Sequence, residues 1–205
     1  MGNIDVFNRL ASQYDTPERS EIAKITAKEI QKHIVNGKDK TAIDYGCGTG
    51  LVGLELVADF ETLLFADASQ SIVEKKKKKI EQATIKNAKT LLLDIEEVSN
   101  SDIQVDYIFL VQVLLHVQDI QPLLSNLYKL LKPNGHLLIV DFDYNEQVNS
   151  DKVHNGFKQQ ELIQLMGKIG FVESNAEIFY HGKNIFMNQD ASFFILDAAK
   201  PVLND

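Results

Sequence analysis

The stretch Ala42-Ile43-Asp44-Tyr45-Gly46-Cys47-Gly48-Thr49-Gly50 decides the fold, because it reads as a short buried strand entering a glycine-rich turn and then a helix. Gly46, Gly48 and Gly50 are able to adopt positive φ and leave no Cβ in the way of a ligand. Backbone N–H groups at the start of the following helix then face an anionic or polar group. An ordinary strand-to-helix turn needs neither three alternating glycines nor the acidic Asp44 just before them.

Outward from that turn, short apolar runs over 41–45, 62–66, 90–93, 105–111 and 136–142 lack helical length and read as buried strands. Helix-like segments over 51–58, 72–83 and 122–131 lie between them, the last with Leu123, Leu124, Leu127, Leu130 and Leu131 on one stripe. This alternation predicts a parallel sheet covered on both faces. Upstream, Thr16-Pro17 offers an N-cap followed by proline at the first helical position, Ala23, Ala27, Ile30 and Ile34 share a helical face, and Asn36-Gly37 marks the stop. Beyond a helix-like 159–168, two β-rich segments cover 172–180 and 192–199. The polar 181–190 between them, with Gly182, Asn184 and Asn188, reads as a hairpin connection. The expected fold is α/β: a Rossmann-like doubly wound sheet of seven strands, mostly parallel, with an antiparallel final strand.

At 205 residues the chain fits a single domain, 1–205, with enough length to bury a substantial core. A formal net charge of −8 argues against nucleic acid or an anionic membrane as partner and favours small molecules. The single cysteine, Cys47, excludes an internal disulfide and a cysteine zinc cluster. With no run of ~18 apolar residues and no leader-like N-terminus, the expectation is a cytoplasmic chain without a membrane span. The lysine run 75–79 covers more than one helical turn and reads as a solvated face, with Lys76, near Ile72, Val73 and Ile80, snorkelling its ammonium outward.

Two ligand classes compete for the glycine turn. Gly48, Gly50 and Gly53 satisfy G-x-G-x-x-G, and Asp67 ends the second strand where a carboxylate accepts from a ribose diol, so a nicotinamide-dependent oxidoreductase is one reading. The frame Asp44-x-Gly46-x-Gly48-x-Gly50, however, resembles motif I of the class I S-adenosylmethionine-dependent methyltransferases. The likeness continues through Phe65-Ala66-Asp67-Ala68-Ser69, Leu92-Leu93-Asp94-Ile95, Val105-Asp106-Tyr107-Ile108, Gln112-Val113-Leu114-Leu115-His116-Val117 and Leu130-Leu131-Lys132-Pro133-Asn134-Gly135-His136. Asn134 stands where a second glycine is commoner, and either residue tolerates such a turn.

The resemblance implies S-adenosylmethionine as cofactor and a small-molecule methyl acceptor as partner. It puts the methionine part over Gly46, Cys47 and Gly48, with Asp44 holding the loop and the ammonium. Asp67 meets the ribose hydroxyls, Ala68 lies near the adenine, Asp94 accepts from its amino group and Ile95 packs on its ring. Val111 and Gln112 close the other side. Residues 7–15 resemble the segment that covers the cofactor, which nominates Tyr14 and makes 1–40 an N-terminal helical cap over the site.

Methyl transfer from a sulfonium is chiefly a positioning problem, so no fixed triad is expected. A general base is required only where the acceptor must lose a proton. Candidates on the substrate side are His116, Tyr144, His154 and His181, against surface or capping roles for each. Asp141-x-Asp143-x-Asn145 has the look of a cation loop, but Glu146 stands where a calcium loop needs glycine, and no metal is expected. A third reading keeps the cofactor pocket without turnover.

Overall fold

The computed structural model describes residues 16–94 and 102–202. Tyr14, Ile95 and the 7–15 segment lie outside the described residues. In chain order the elements are α1 (Pro17–Gln31), β1 (Thr41–Tyr45), α2 (Leu51–Leu56), β2 (Thr62–Asp67), α3 (Gln70–Gln82), β3 (Ala88–Leu92), β4 (Val105–Val111), α4 (Ile120–Leu130), β5 (Leu131–Phe142), α5 (Gln159–Ile169), β6 (Val172–Phe186) and β7 (Gln189–Ala199), with single 3₁₀ turns at Gly37–Asp39, Val57–Asp59 and Leu114–His116. One seven-stranded sheet runs β3-β2-β1-β4-β5-β7-β6. Strands β1 to β5 pair in parallel, and β7 is antiparallel to both β5 and β6. The strand order reverses between β1 and β4, and the C-terminal ends of these strands form the crevice where ligands of such sheets bind.

Each element has a local cause. Thr16 caps α1 by accepting the Arg19 N–H at 3.3 Å, and Pro17 occupies its first turn, where a missing N–H costs nothing. Asp119 caps α4 in the same way through the Gln121 N–H. Gly170 ends α5 at φ 118°, a left-handed stop that suits glycine. All residues of β5 from Leu137 to Phe142 are buried, so both faces of the central sheet are covered, as a parallel sheet requires.

The pairing registers sort the side chains into two faces. Asp44, Phe65, Phe109, Leu138 and Asp197 share one face, whereas Ile43, Leu64, Ile108, Leu137 and Leu196 share the other.

Three expectations are corrected. Helix α1 ends at Gln31 rather than at Asn36-Gly37. Asn36 is left-handed (φ 52°), and it opens the 3₁₀ turn. Strand β3 starts at Ala88, earlier than its apolar run, because it is an edge strand on which Lys89 is tolerated. Most of the polar 181–190 is strand: β6 and β7 extend to a two-residue turn, Met187-Asn188, with φ of 51° and 63° at its two positions, the left-handed pair of a tight hairpin. Polar residues there belong to strand faces in water, which composition alone does not distinguish from a loop.

Candidate functional site

The glycine turn takes the conformation its residues permit. Gly46, Gly48 and Gly50 have φ of 68°, 50° and 72°. A Cβ on Gly46 would stand 2.7 Å from Val113 Cγ2, and one on Gly53 would collide with Asp44 Oδ2 and the Phe65 ring. Gly53 therefore lets α2 lie against β1 and β2, and its N–H bonds the Asp44 carboxylate. Asp44 is buried beneath the turn. Burial pushes its pKa up to about 7, a rise opposed by the Lys76 ammonium and reinforced by the Asp67 charge.

Lys76 corrects the sequence reading most sharply. It is 1% exposed and aims inward, donating to the Thr49 carbonyl and lying 5.1 Å over the Phe65 ring. It shares a helical stripe with Ile72 and Ile80, so its stem follows the apolar face, and the turn carbonyl supplies the internal acceptor that makes burial tolerable.

A cavity of about 530 Å³ opens at these strand ends. Its walls include Asp44, Gly46, Cys47 and Gly48 from the first strand and turn, Val111, Gln112 and His116 from the end of β4 and the 3₁₀ turn, and Phe142 and Ile185 from β5 and β6. Arg19, Ile22, Ala23 and Thr26 of α1 line it from above, with Lys75, Lys76, Lys78 and Lys79 of α3 beside them. Arg19, Thr26, Phe142 and Ile185 escaped the sequence reading. Ile185 carried no local signal, since it lies in the stretch read as a connection. The positive φ of Gln112 (54°) turns the chain off β4, with its N–H held by the Val140 carbonyl at 2.7 Å.

Asp67, Ala68 and Asp94 sit at the C-terminal ends of β2 and β3, beside this cavity rather than in its wall. Asp67 accepts the Gly48 N–H at 3.2 Å and the Ser69 N–H at 2.9 Å. Burial raises its pKa, and those two bonds counter the rise. Cys47 lies in the turn with its thiol pushed up by burial and by the charges of Asp44 and Asp67, an environment that disfavours the nucleophilic thiolate.

Of the substrate-side candidates only His116 lines the cavity, and burial lowers its pKa, keeping it neutral near pH 7. His154 Nε2 and the Val117 carbonyl are 2.7 Å apart, and the His154 backbone N–H bonds the Leu115 carbonyl, so this residue pins its loop onto the 3₁₀ turn. Tyr144 is exposed beneath the Lys158 ammonium, and His181 pairs with the Ser192 hydroxyl on the hairpin. Asp141, far from offering a cation loop, is fully buried and accepts the N–H groups of Phe142 and Leu115. No helix among the described residues is long and apolar enough to cross a membrane.

Residues 43–137 match a family model described as a methyltransferase domain. An uncharacterized methyltransferase of Schizosaccharomyces pombe is 23% identical, over 86% of this chain and 80% of that protein. The ubiquinone biosynthesis O-methyltransferase of Rickettsia bellii is 32% identical over 55% of this chain and 46% of its own length, so the chain spans about half of that relative. A SAM-dependent methyltransferase from Aquifex aeolicus has the same fold, with a TM-score of 0.71 and 17% identity over 94% of this chain and 97% of that one. The antiparallel β7 also separates this sheet from the 3-2-1-4-5-6 order of dinucleotide-binding folds. Residues 43–137 therefore match a methyltransferase domain, and the glycine turn, the reversed strand order and the antiparallel β7 agree with the fold of S-adenosylmethionine-dependent methyltransferases.

Proposed function

We propose that the chain methylates a small molecule bearing an acidic hydroxyl, with His116 as proton acceptor. One observation carries this reading: His116 and the glycine turn wall the same cavity, which the apolar Phe142 and Ile185 also line. Its volume suits a cofactor and a compact acceptor, and a net charge of −8 disfavours a nucleic-acid acceptor. The Rickettsia relative bears the name of an O-methyltransferase, which agrees with an oxygen acceptor.

The residues present fit S-adenosylmethionine. Three positive-φ glycines leave a cradle that side chains would fill, with the buried Asp44 carboxylate beneath it and the half-buried Asp67 carboxylate bonded to Gly48. Gly46, Cys47 and Gly48 would hold the methionine part, with Asp44 as counter-charge to its ammonium. Asp67 would take the ribose hydroxyls, Ala68 and Asp94 the adenine, and Val111 and Gln112 the opposite wall. Tyr14 and Ile95, outside the described residues, complete the proposed set. When bound, the cofactor supplies an electrophilic methyl group on a sulfonium. The chain's own task is to align the acceptor, exclude water beneath α1 and take the hydroxyl proton on neutral His116.

Calorimetry with S-adenosylhomocysteine, followed by turnover with phenolic and other hydroxylated acceptors, tests this. Micromolar binding with turnover is the expected result. Folded protein that fails to bind at high micromolar concentration overturns the cofactor assignment, and binding without turnover across the panel points to a non-catalytic binder.

A further inference from the structure

We infer that Glu29, His33 and Glu177 form a zinc site that clamps the end of α1 to the C-terminal hairpin, at the opposite strand ends from the cofactor cavity. Glu29 and His33 are four residues apart at the close of α1 and so project together. Glu177 comes from β6. One donor atom from each residue lies within 4.8 Å of the others. Tetrahedral zinc ligands at 2.0–2.2 Å are separated by about 3.3 Å. A rotamer change of the exposed Glu177 supplies that closure.

The histidine provides the second, independent observation. His33 Nδ1 lies 3.1 Å from Asp197 Oδ2, whereas Nε2 is buried and has no hydrogen-bond partner among the described residues. A buried ring nitrogen left unpaired is unfavourable unless something occupies its lone pair. With Nδ1 committed to a carboxylate, Nε2 is the atom available to a metal, and Asp197 takes the role of the outer carboxylate that orients metal-binding histidines. Asp197 is itself fixed from the other side by His136 Nδ1 at 2.7 Å, whose ring stacks on Tyr107.

The donor chemistry selects the ion. One imidazole and two carboxylates suit zinc, with water as fourth ligand, better than calcium or magnesium, which favour oxygen alone. Without metal the two carboxylates share the Lys32 ammonium, which lies 2.6 Å from Glu29 Oε2 and is also drawn by the Glu177 charge. The Lys32 side chain is 67% exposed, so it swings to solvent when a dication replaces it. Because the other end of α1 contributes Arg19 to Thr26 to the cofactor cavity, the clamp fixes a wall of that cavity without touching its ligand.

The test is zinc titration of the chelator-stripped full chain against a chromophoric competitor, with a parallel thermal melt. One equivalent should bind with micromolar or tighter affinity and raise Tm. Glu177→Gln, at an exposed position that leaves the fold intact, and His33→Gln should each weaken binding at least tenfold. In the wild type, zinc should shift the His33 Nε2 resonance while Nδ1 keeps its proton. Absence of binding below about 100 µM, or binding that neither substitution alters, overturns the site.

Discussion

The Asp67 carboxylate accepts the backbone N–H of Gly48 at 3.2 Å, which ties the end of β2 to the glycine turn that follows β1. The acid therefore shapes the turn before any ligand arrives. Asp67→Ala should weaken S-adenosylhomocysteine binding by roughly 10- to 100-fold, as expected for a hydrogen bond to a charged group, with only a modest loss of stability. Calorimetry and a urea titration on the same variant separate the two effects. Unchanged affinity would remove Asp67 from the ribose site.

Lys76 holds the same turn from the other side. Lys76→Met keeps the apolar stem but leaves the Thr49 carbonyl without this donor and Asp44 without its counter-charge. We expect a loss of about 1–3 kcal/mol in urea denaturation together with weaker cofactor binding. A variant as stable as wild type would mean that the buried ammonium does nothing for the turn.

His116 should report on chemistry. His116→Asn is expected to leave cofactor affinity within about threefold and to lower turnover by roughly 10²–10⁴-fold. A base must be neutral, so activity rises with pH through its pKa and is flat above it. Since burial lowers that pKa from the ordinary 6.5, the midpoint of the rise should lie below 6.5, and this limb should vanish in the variant. A rate limb that persists in His116→Asn would rule the residue out as base.

Gly53→Ala probes the packing of α2 beneath the turn. Its Cβ meets the Asp44 carboxylate and the Phe65 ring, so α2 must move outward, at a cost of about 1–3 kcal/mol. A thermal melt reads it; an unchanged Tm would show that α2 has slack against the sheet.

Burial pushes both Asp44 and Asp141 up to about 7 from the ordinary 3.8. Between about pH 4 and pH 7 the unfolded chain has therefore released protons that the folded chain retains. Stability should fall as pH rises across this window and level off above it. His136, raised by its bond to Asp197, adds loss of the same sign as pH climbs past 6.5. Asp141→Asn should remove one carboxyl's share of the slope and lower stability by about 1–3 kcal/mol, since its amide NH₂ cannot accept the Phe142 and Leu115 N–H groups as two carboxylate oxygens do. Urea midpoints at pH 5, 6, 7 and 8 measure both; a wild-type slope of the opposite sign would contradict the burial of these acids.

Most of the sheet was legible before any coordinates. Strands 41–45 and 105–111 were bounded correctly because a short apolar run has no helical alternative at that length. The glycine turn was legible because positive φ is a property of single residues, as at Gly46, Gly48 and Gly50. Asn134, read as a tolerable substitute for glycine, does take φ of 59°. The edge strand β3 and the long hairpin were blurred, because residues half in water lose the apolar pattern that marks a strand.

The sequence by itself determined the strand–turn–helix order, the antiparallel finish and the carboxylates at the strand ends, all consequences of period and backbone freedom acting over a few residues. Only the tertiary structure decided that Lys76 turns inward, that α1 and Ile185 wall the cavity, that His116 faces it while His154 and Tyr144 do not, and that His33 meets Glu177 and Asp197. Those outcomes depend on which faces of separate elements meet. Such meetings join residues as far apart as the 164 positions between His33 and Asp197, and no local pattern encodes them.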